Sequence, residues 1–439
     1  MKVYKHLLLT LAATSGLAVQ AQQPIDSNRA DSILHKHAHA PRITETEGDA
    51  PLVLDSTVVF LADDSFQNKA IHAYDDKGRV ESHAYYFWKN GLWEASSKIG
   101  FAYDDNDNMT NIYRYTWQDG EWVYTEKTET WYDDENRVIA FEGYYWTNGQ
   151  WIGNTKGKSY YDDKGNLTAT EDYNWTDGLW KEYKKTEYTY DAKNHQTSRT
   201  ESYWRNGQWD DAEKVEYTYD TVGNLTCETC YSRENGQWEY NSKNEYTYDT
   251  VGNRISETIF GWQYGRWIGQ YKQENTYDGK NNLSYSETWR WNNGQWEYDS
   301  KSEYTYNSKQ LLTSEIISTW EHGQWEYRYK YEYSHDANSN NTTTTLYTWE
   351  NGQWLAATLY ALSFDDKGNI TREESHECIN GKWELQNYCV YYYSVFKPSD
   401  VSSVTAGSRH EIPRKVLQNG QFSIEAANGI YHLDGTRLR

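Results

Sequence analysis

Apolar and polar residues alternate along most of this chain, and turn residues interrupt the alternation at regular intervals. Between Trp296 and Tyr306, the residues Trp296, Tyr298, Ser300, Ser302, Tyr304 and Tyr306 fall on one side of an extended strand. Glu297, Asp299, Lys301, Glu303 and Thr305 fall on the other. A period of two is the signature of a β-strand, whose successive side chains point to opposite faces. Leu167, Ala169, Glu171, Tyr173 and Trp175 repeat the split on a neighbouring segment. The pattern predicts an antiparallel sheet with one aromatic face and one wet face. The fifth residue after the second Trp of each unit is Lys in nine of eleven units, Lys98 through Lys330, and reads as part of the solvated face.

The interruptions are strictly periodic. Gly stands at 91, 120, 149 and every 29 residues thereafter to 381, eleven times. Trp follows two residues later in all eleven units, and a second Trp stands three residues earlier in nine; Arg233 and Cys378 are the exceptions. An Asn-Gly pair between alternating residues, as in Trp349-Glu350-Asn351-Gly352-Gln353-Trp354, is a strong hairpin signal, because both central residues of a type I′ turn need positive φ. A two-residue loop sets the two indoles opposite each other across the hairpin. A second marker, Tyr-Asp-x-x-Gly-Asn, runs in the same period from Tyr74 to Tyr306, with His335 and Phe364 in the last two slots. Gly, Asn or Asp stands four residues after that slot in nine of eleven units, as at Gly78, Asp107, Asn136, Gly165 and Asn194. These residues best tolerate the left-handed region, so a type I turn followed by a bulge residue is expected.

Eleven hairpins laid flat would give roughly 23 strands spanning about 110 Å, each about 36 Å long. The aromatic face would then expose on the order of 4,000 Å², far above the few hundred that soluble monomers show. Twist accumulates with strand number. The fold class expected is therefore all-β: tandem 29-residue β-hairpin repeats in one long, strongly twisted antiparallel sheet. That sheet is expected to coil with its aromatic face inward, as a spiral, a shell or a large barrel. Val58-Val59-Phe60-Leu61, Tyr85-Tyr86-Phe87-Trp88 and residues 354–362 are apolar on both faces. Such terminal strands are expected to be capped, by residues 52–62 and by the C-terminal tail.

The ends differ from the array. Lys2 and Lys5 precede an apolar stretch, Leu7 to Val19, with small residues at Val19 and Ala21. Residues 1–21 read as a secretory signal peptide, 22–51 as a flexible linker, 52–396 as the array and 397–439 as a separate tail. No apolar run is long enough for a spanning helix in the mature chain.

Composition then narrows the function. The 439 residues carry 22 Trp, 42 Tyr and 9 Phe, only 37% hydrophobic residues, and a net charge of −22. An acidic chain without a basic block is not built for nucleic acid. No nucleophile elbow, zinc-protease motif, phosphate loop or dinucleotide fingerprint appears, so the chain reads as non-enzymatic, with no cofactor and no metal. Asp104-Asp105-Asn106-Asp107-Asn108 offers oxygens on alternate residues, which suits calcium; the plainer reading is that such Asp residues bond the turn backbone. His35, His37 and His39 in the linker read as a solvated tail. Cys227 and Cys230, three apart on a strand, point to opposite faces and cannot bridge. Cys378 and Cys389 are expected on one face, several rows apart.

The Tyr161-Asp162-Asp163-Lys164-Gly165-Asn166-Leu167 and Tyr219-Asp220-Thr221-Val222-Gly223-Asn224-Leu225 segments resemble YD (RHS-type) repeats. That resemblance implies strand pairs spiralling into a hollow shell on a secreted protein. The period of 29 is longer than the family's usual one, and no toxin or protease segment follows, so an encapsulated-toxin role is not carried over. The Trp-x-Asn-Gly-Gln-Trp hairpins resemble designed tryptophan zippers, and Asn-Gly-Gln-Trp-Glu-Tyr is similar to aromatic cell-wall and glucan-binding repeats. The last 27 residues, with Lys415-Val416-Leu417, Asn419-Gly420-Gln421 and Ile430 to Gly435 before Arg437 and Arg439, resemble type IX secretion sorting tails; this implies export to the surface or medium.

The expected function is a secreted or cell-surface interaction or adhesion module. Its candidate binding residues are Trp117, Trp122, Trp146, Trp151, Trp175, Trp180, Trp204 and Trp209, as stacking platforms for a polysaccharide or a surface protein. The alternative is a purely structural scaffold whose Trp pairs are core. An outer-membrane barrel fits poorly, because Glu171, Asn275, Ser300 and Ser302 would face lipid. The oligomeric state is open.

Overall fold

Each 29-residue unit folds as a ten-residue strand, a two-residue turn, a twelve-residue strand and a five-residue turn. In the computed structural model the described residues are 52–396, together with three short strands near the C-terminus, Arg414–Gln418, Gln421–Ala426 and Gly429–His432. Residues 52–396 contain 24 strands, numbered β1–β24 in chain order, and no helix. The three later strands form a separate antiparallel sheet. The expected signal peptide, the linker with its three His residues, and most of the sorting-like tail lie outside the described residues.

The tight turns follow their chemistry. Asn148 and Gly149 sit at φ 50° and 78°, and Asn351 and Gly352 at 50° and 81°. The longer turns repeat another pattern. In residues 161–167, Gly165 N–H donates to the Asp162 carbonyl at 3.0 Å and Asp162 N–H to the Asn166 carbonyl at 3.0 Å. Gly165 takes φ 86°, as a type I turn with a bulge residue demands. Where the bulge residue is Gln310 or Ser339, φ is still 64° and 73°. The geometry is imposed by the array even where the residue type does not favour it.

A tyrosine peg ties most units to the previous one; His335 and Phe364 fill the slot in two. Tyr103 Oη donates to the Val80 carbonyl at 2.9 Å, Tyr161 to Val138 at 2.9 Å, Tyr219 to Gln196 at 2.8 Å and Tyr306 to Leu283 at 2.9 Å. Each peg spans 23 residues, so an insertion anywhere between would break it. That accounts for the unbroken period. Tyr219→Phe removes one such bond and is expected to cost about 1 kcal/mol. The urea midpoint measures it, and a variant that melts with the wild type would make the peg idle.

Sequential strands pair antiparallel throughout, and β1 (Leu52–Leu61) pairs with β24 (Lys382–Val395) as well as with β2 (Phe66–Tyr74). The sheet therefore closes into a 24-stranded barrel, which removes both sheet edges. Of the open forms expected, neither spiral nor shell is adopted. Of the segments apolar on both faces, Val58–Leu61 lies in the seam strand β1, while Tyr85–Trp88 and residues 354–362 lie in strands two places away on either side. Residues 52–61 lie against β24, the last strand of the expected array 52–396.

Faces are assigned differently from the sequence pattern. In β17 (Leu283–Asn292) and β18 (Gln295–Tyr306), Trp289 pairs with Tyr298, but the next partner of Thr288 is Ser300. Asp299 is an extra residue, a β-bulge, and a one-residue slip moves every later side chain to the other face. Lys301, Glu303 and Thr305 thus share the face of Trp296 and Tyr298, and Ser300, Ser302 and Tyr304 lie opposite. The bulge recurs in every Trp hairpin, as between Glu182 and Lys184 and between Gly153 and Thr155. The same slip separates Cys378, opposite Trp383, from Cys389, opposite Glu373. All four cysteines are free thiols.

The bulge gives two mixed faces, and rings stand on both the inside and the outside of the barrel. Tyr246 and Tyr333 are buried on the face opposite the Trp pairs. Most residues are half-buried. The one cluster of buried hydrophobic residues among those described is at the seam: Val58, Phe60, Tyr388 and Val390. No helix among the described residues is long and apolar enough to cross a membrane.

Candidate functional site: the tryptophan rim

The two-residue turns all lie at one end of the barrel, since every odd-numbered strand runs toward them. Nine of the eleven carry an indole pair, set edge to face. Trp117–Trp122, Trp146–Trp151, Trp175–Trp180 and Trp204–Trp209 have ring centroids 4.9, 5.0, 5.0 and 5.1 Å apart and interplanar angles of 71°, 64°, 76° and 72°. Such pairs add about 0.5–1.5 kcal/mol beyond burial. The structure thus brings the eight candidate Trp residues together as four neighbouring pairs in a longer ring. None is buried. Trp117 and Trp204 are 38% and 37% exposed, and the other six are half-buried.

A lysine row was missed as part of this surface, because the bulge hides it from a period-two reading. Lys127 Nζ lies 4.5 Å from the Tyr144 ring centre and 5.2 Å from Trp151, and Lys214 lies 4.5 Å from Tyr231 and 5.6 Å from Trp238. Lys330 repeats this on Tyr347 and Trp354 at 4.2 and 5.7 Å. Cation–π contact of this kind is worth about 0.5–1 kcal/mol at exposed sites. A glutamate two residues on partners each lysine, at 2.9 Å for Lys127–Glu129, 2.7 Å for Lys214–Glu216 and 2.8 Å for Lys330–Glu332. Two of these glutamates in turn accept from tyrosines: Tyr231 Oη donates to Glu216 at 2.8 Å and Tyr347 Oη to Glu332 at 2.9 Å. Burial and that carboxylate push the Tyr347 hydroxyl up to about 12.

A second missed group is a tyrosine that locks adjacent hairpins. Tyr124, two residues after Trp122, packs on the next pair, with centroids 6.0 Å from Trp146 and 5.4 Å from Trp151. Tyr240, Tyr298 and Tyr327 do the same to the pairs that follow them. The signal was present as Tyr at the same offset in four units.

At the opposite end, the Asp of each longer turn is spent on its own backbone. Asp104 Oδ1 accepts from Asn106 N–H and Asn108 N–H, both at 2.9 Å, and Oδ2 accepts from Asn108 Nδ2 at 3.0 Å. The Asn108 side chain and these amides hold the Asp104 carboxyl below its ordinary range. Asp162 and Asp220 repeat the arrangement. Among the described residues no group of three or more acidic, His or Cys side chains is placed to hold a metal ion.

No protein-family model matches the chain, and no curated protein matches its sequence. Among solved structures it is similar to TcdB2-TccC3-TEV, with 12% identity, a TM-score of 0.24, and coverage of 90% of this chain and 24% of that one. It is also similar to a porin-like protein from Bacteroides uniformis, at 10% identity and a TM-score of 0.24, covering 58% and 95%. A protein of unknown function from Bacteroides fragilis is 18% identical over 34% of this chain and 91% of that one, with a TM-score of 0.19. The chain spans about a quarter of the TcdB2-TccC3 chain. At these scores the likenesses carry no functional inference.

Proposed function

We propose that the chain is a non-enzymatic interaction module, exported to the cell surface or the medium, whose contact surface is the tryptophan rim. The ligand class it suits is a polysaccharide. The observation that carries this reading is the partial exposure of the paired indoles, including Trp117 and Trp204 at 38% and 37%. A purely structural core would bury its largest rings, and the buried rings among the described residues lie elsewhere, at Phe60, Tyr246, Tyr333 and Tyr388. Sugar rings present C–H faces that pack on flat aromatics, and repeated platforms multiply weak contacts through effective concentration. Charge on both faces counts against a lipid-facing wall: Lys127, Lys214 and Lys330 stand on the Trp face, and Arg199, Glu228 and Glu315 on the other.

The test has two parts. Iodide should quench a substantial share of the Trp fluorescence, in keeping with half-exposed indoles. On a glycan panel, binding should fall at least tenfold in Trp146→Ala/Trp151→Ala, while a tyrosine-peg variant such as Tyr219→Phe should retain it. Indoles protected from iodide, or a panel without binding, would leave the scaffold reading.

A further inference from the structure

Four of the eleven Trp hairpins carry the locking tyrosine; the other seven have Ala95, Gly153, Glu182, Asp211, Gly269, Ala356 and Leu385 in its place. The position filled by Tyr124, Tyr240, Tyr298 and Tyr327 in other units is Ala95 in the first Trp hairpin. A cavity of about 510 Å³ lies there, lined by Tyr86, Trp93, Glu94, Ala95, Trp117 and Trp122. At two of the seven, Gly153 and Gly269, the space is closed: a Cβ there would lie 2.5 Å from Trp175 and 2.6 Å from Trp296. The next indoles have moved into the space. At Ala95 they have not.

The walls of this socket are braced from behind. Lys69, only 2% exposed, holds its ammonium 4.8 Å from the Tyr86 ring centre and 4.7 Å from Trp93. Its ammonium has no hydrogen-bond partner, and the residue two positions on is Ile71 where seven of the nine later lysines of the row have Glu. Both rings are thus drawn onto the cation. The socket also opens toward the rim. Pairing between β4 (Leu92–Tyr103) and β5 (Met109–Gln118) stops at Ser97 and Thr116, so the two hairpins stand apart above it as separate fingers.

The same rim carries one unmatched ring. Nine of eleven Trp hairpins begin their turn with Asn or Asp; the hairpin at 263–266 has Tyr264. Tyr264 adopts φ 53°, a region that a bulky residue disfavours, and is 96% exposed. Counting hairpins around the closed sheet, this finger lies six of twelve from the socket finger in either direction, so the two are diametrically opposed. A two-fold axis across the rim exchanges opposite positions and would place both rings in both sockets at once, a closed isologous contact. Charge agrees: exposed Arg266 flanks the ring, and exposed Asp119 and Glu121 flank the socket.

We propose that Tyr264 of one copy seats in the Ala95 socket of a second copy, joining two barrels rim to rim in a two-fold dimer. The socket accepts a phenol because four equivalent sites in this molecule hold one. Sedimentation of the purified chain should show a reversible dimer. Ala95→Tyr, which supplies the missing ring in cis, and Tyr264→Asn, which restores the common turn residue, should each weaken it by about 100-fold or more. Both changes favour the fold, so matching circular dichroism and melting curves separate lost association from unfolding. An equimolar mixture of the two variants should recover a weaker heterodimer through its single intact contact. A wild-type monomer at all concentrations, or a dimer indifferent to both substitutions, overturns the proposal. Saturable quenching of a monomeric chain by p-cresol, lost in Ala95→Tyr, overturns it in favour of a ring from a different polypeptide.

Discussion

Phe60→Ala is expected to lower the stability of the barrel by about 3–5 kcal/mol, the cost of removing a large buried ring. Phe60 is 1% exposed and stacks on Tyr388, with ring centroids 4.7 Å apart and planes 9° from parallel. Val390 and Val58 complete the cluster at 0% and 3% exposure. Arg372 lies over the far side of Tyr388, 3.7 Å from its centre, and the Tyr388 hydroxyl donates to Asp64 at 2.7 Å. This cluster sits on the one strand pair whose members are distant in sequence. Everywhere else a hairpin or a peg holds neighbours together locally. At the seam, burial must offset the loop-closure entropy of more than 300 residues. Failure there also exposes the edges of β1 and β24, and unpaired edges recruit other chains. The variant should therefore unfold at a lower urea concentration and scatter more light near its midpoint. Tyr388→Phe retains the ring and should cost only about 1–3 kcal/mol, for the lost bond to a carboxylate. If Phe60→Ala melts with the wild type and stays monodisperse, the seam cluster does not hold the barrel closed.

How far the sequence carried depended on whether a feature is local. The period, the Asn-Gly turns, the opposed indoles and the Asp-bonded turns are each decided within about six residues, so their chemistry could be read directly. The bulge could not. Tyr298-Asp299-Ser300-Lys301 contains no Gly or Pro, and a period-two reading runs through it unbroken; the extra residue exists only relative to the partner strand. That one unseen residue reassigned the lysine row from a wet face to the Trp face, and with it half of the candidate surface. Closure was hinted at by strands apolar on both sides, but which strand covers which is a property of the whole sheet. The Ala95 socket is visible only against its siblings. Alanine in a strand is unremarked until Tyr124, Tyr240, Tyr298 and Tyr327 show what that position holds in four other units.

Acid is expected to destabilise the barrel between pH 6.5 and about 4, before its turn carboxylates titrate. His72 in β2 pairs across the ladder with His83 in β3 (Val80–Lys89), their Nδ1 atoms 2.5 Å apart and their rings edge to face at 4.6 Å. Such contact requires one Nδ1 to donate and the other to accept, so the two rings cannot both be protonated. Burial first, and then the His83 charge, lower His72 to about 4; burial lowers His83 as well. The unfolded chain binds these protons near pH 6.5, whereas the folded chain resists them. Folding is then linked to proton release, and the stabilisation is complete above pH 6.5 and lost as pH falls toward 4. For His72 alone the loss is roughly 3 kcal/mol. The Asp residues of the longer turns, such as Asp104 and Asp162, are also lowered, so their contribution disappears only below about pH 3.8 and leaves this window to the histidines. Urea midpoints measured from pH 7.5 to 4.5 should fall steeply in the wild type. In His72→Asn the profile should be flatter, because the side chain no longer titrates. A profile of unchanged slope in that variant would show that the acid sensitivity arises elsewhere. A variant less stable at pH 7.5 but flat below 6.5 would still carry the predicted signature.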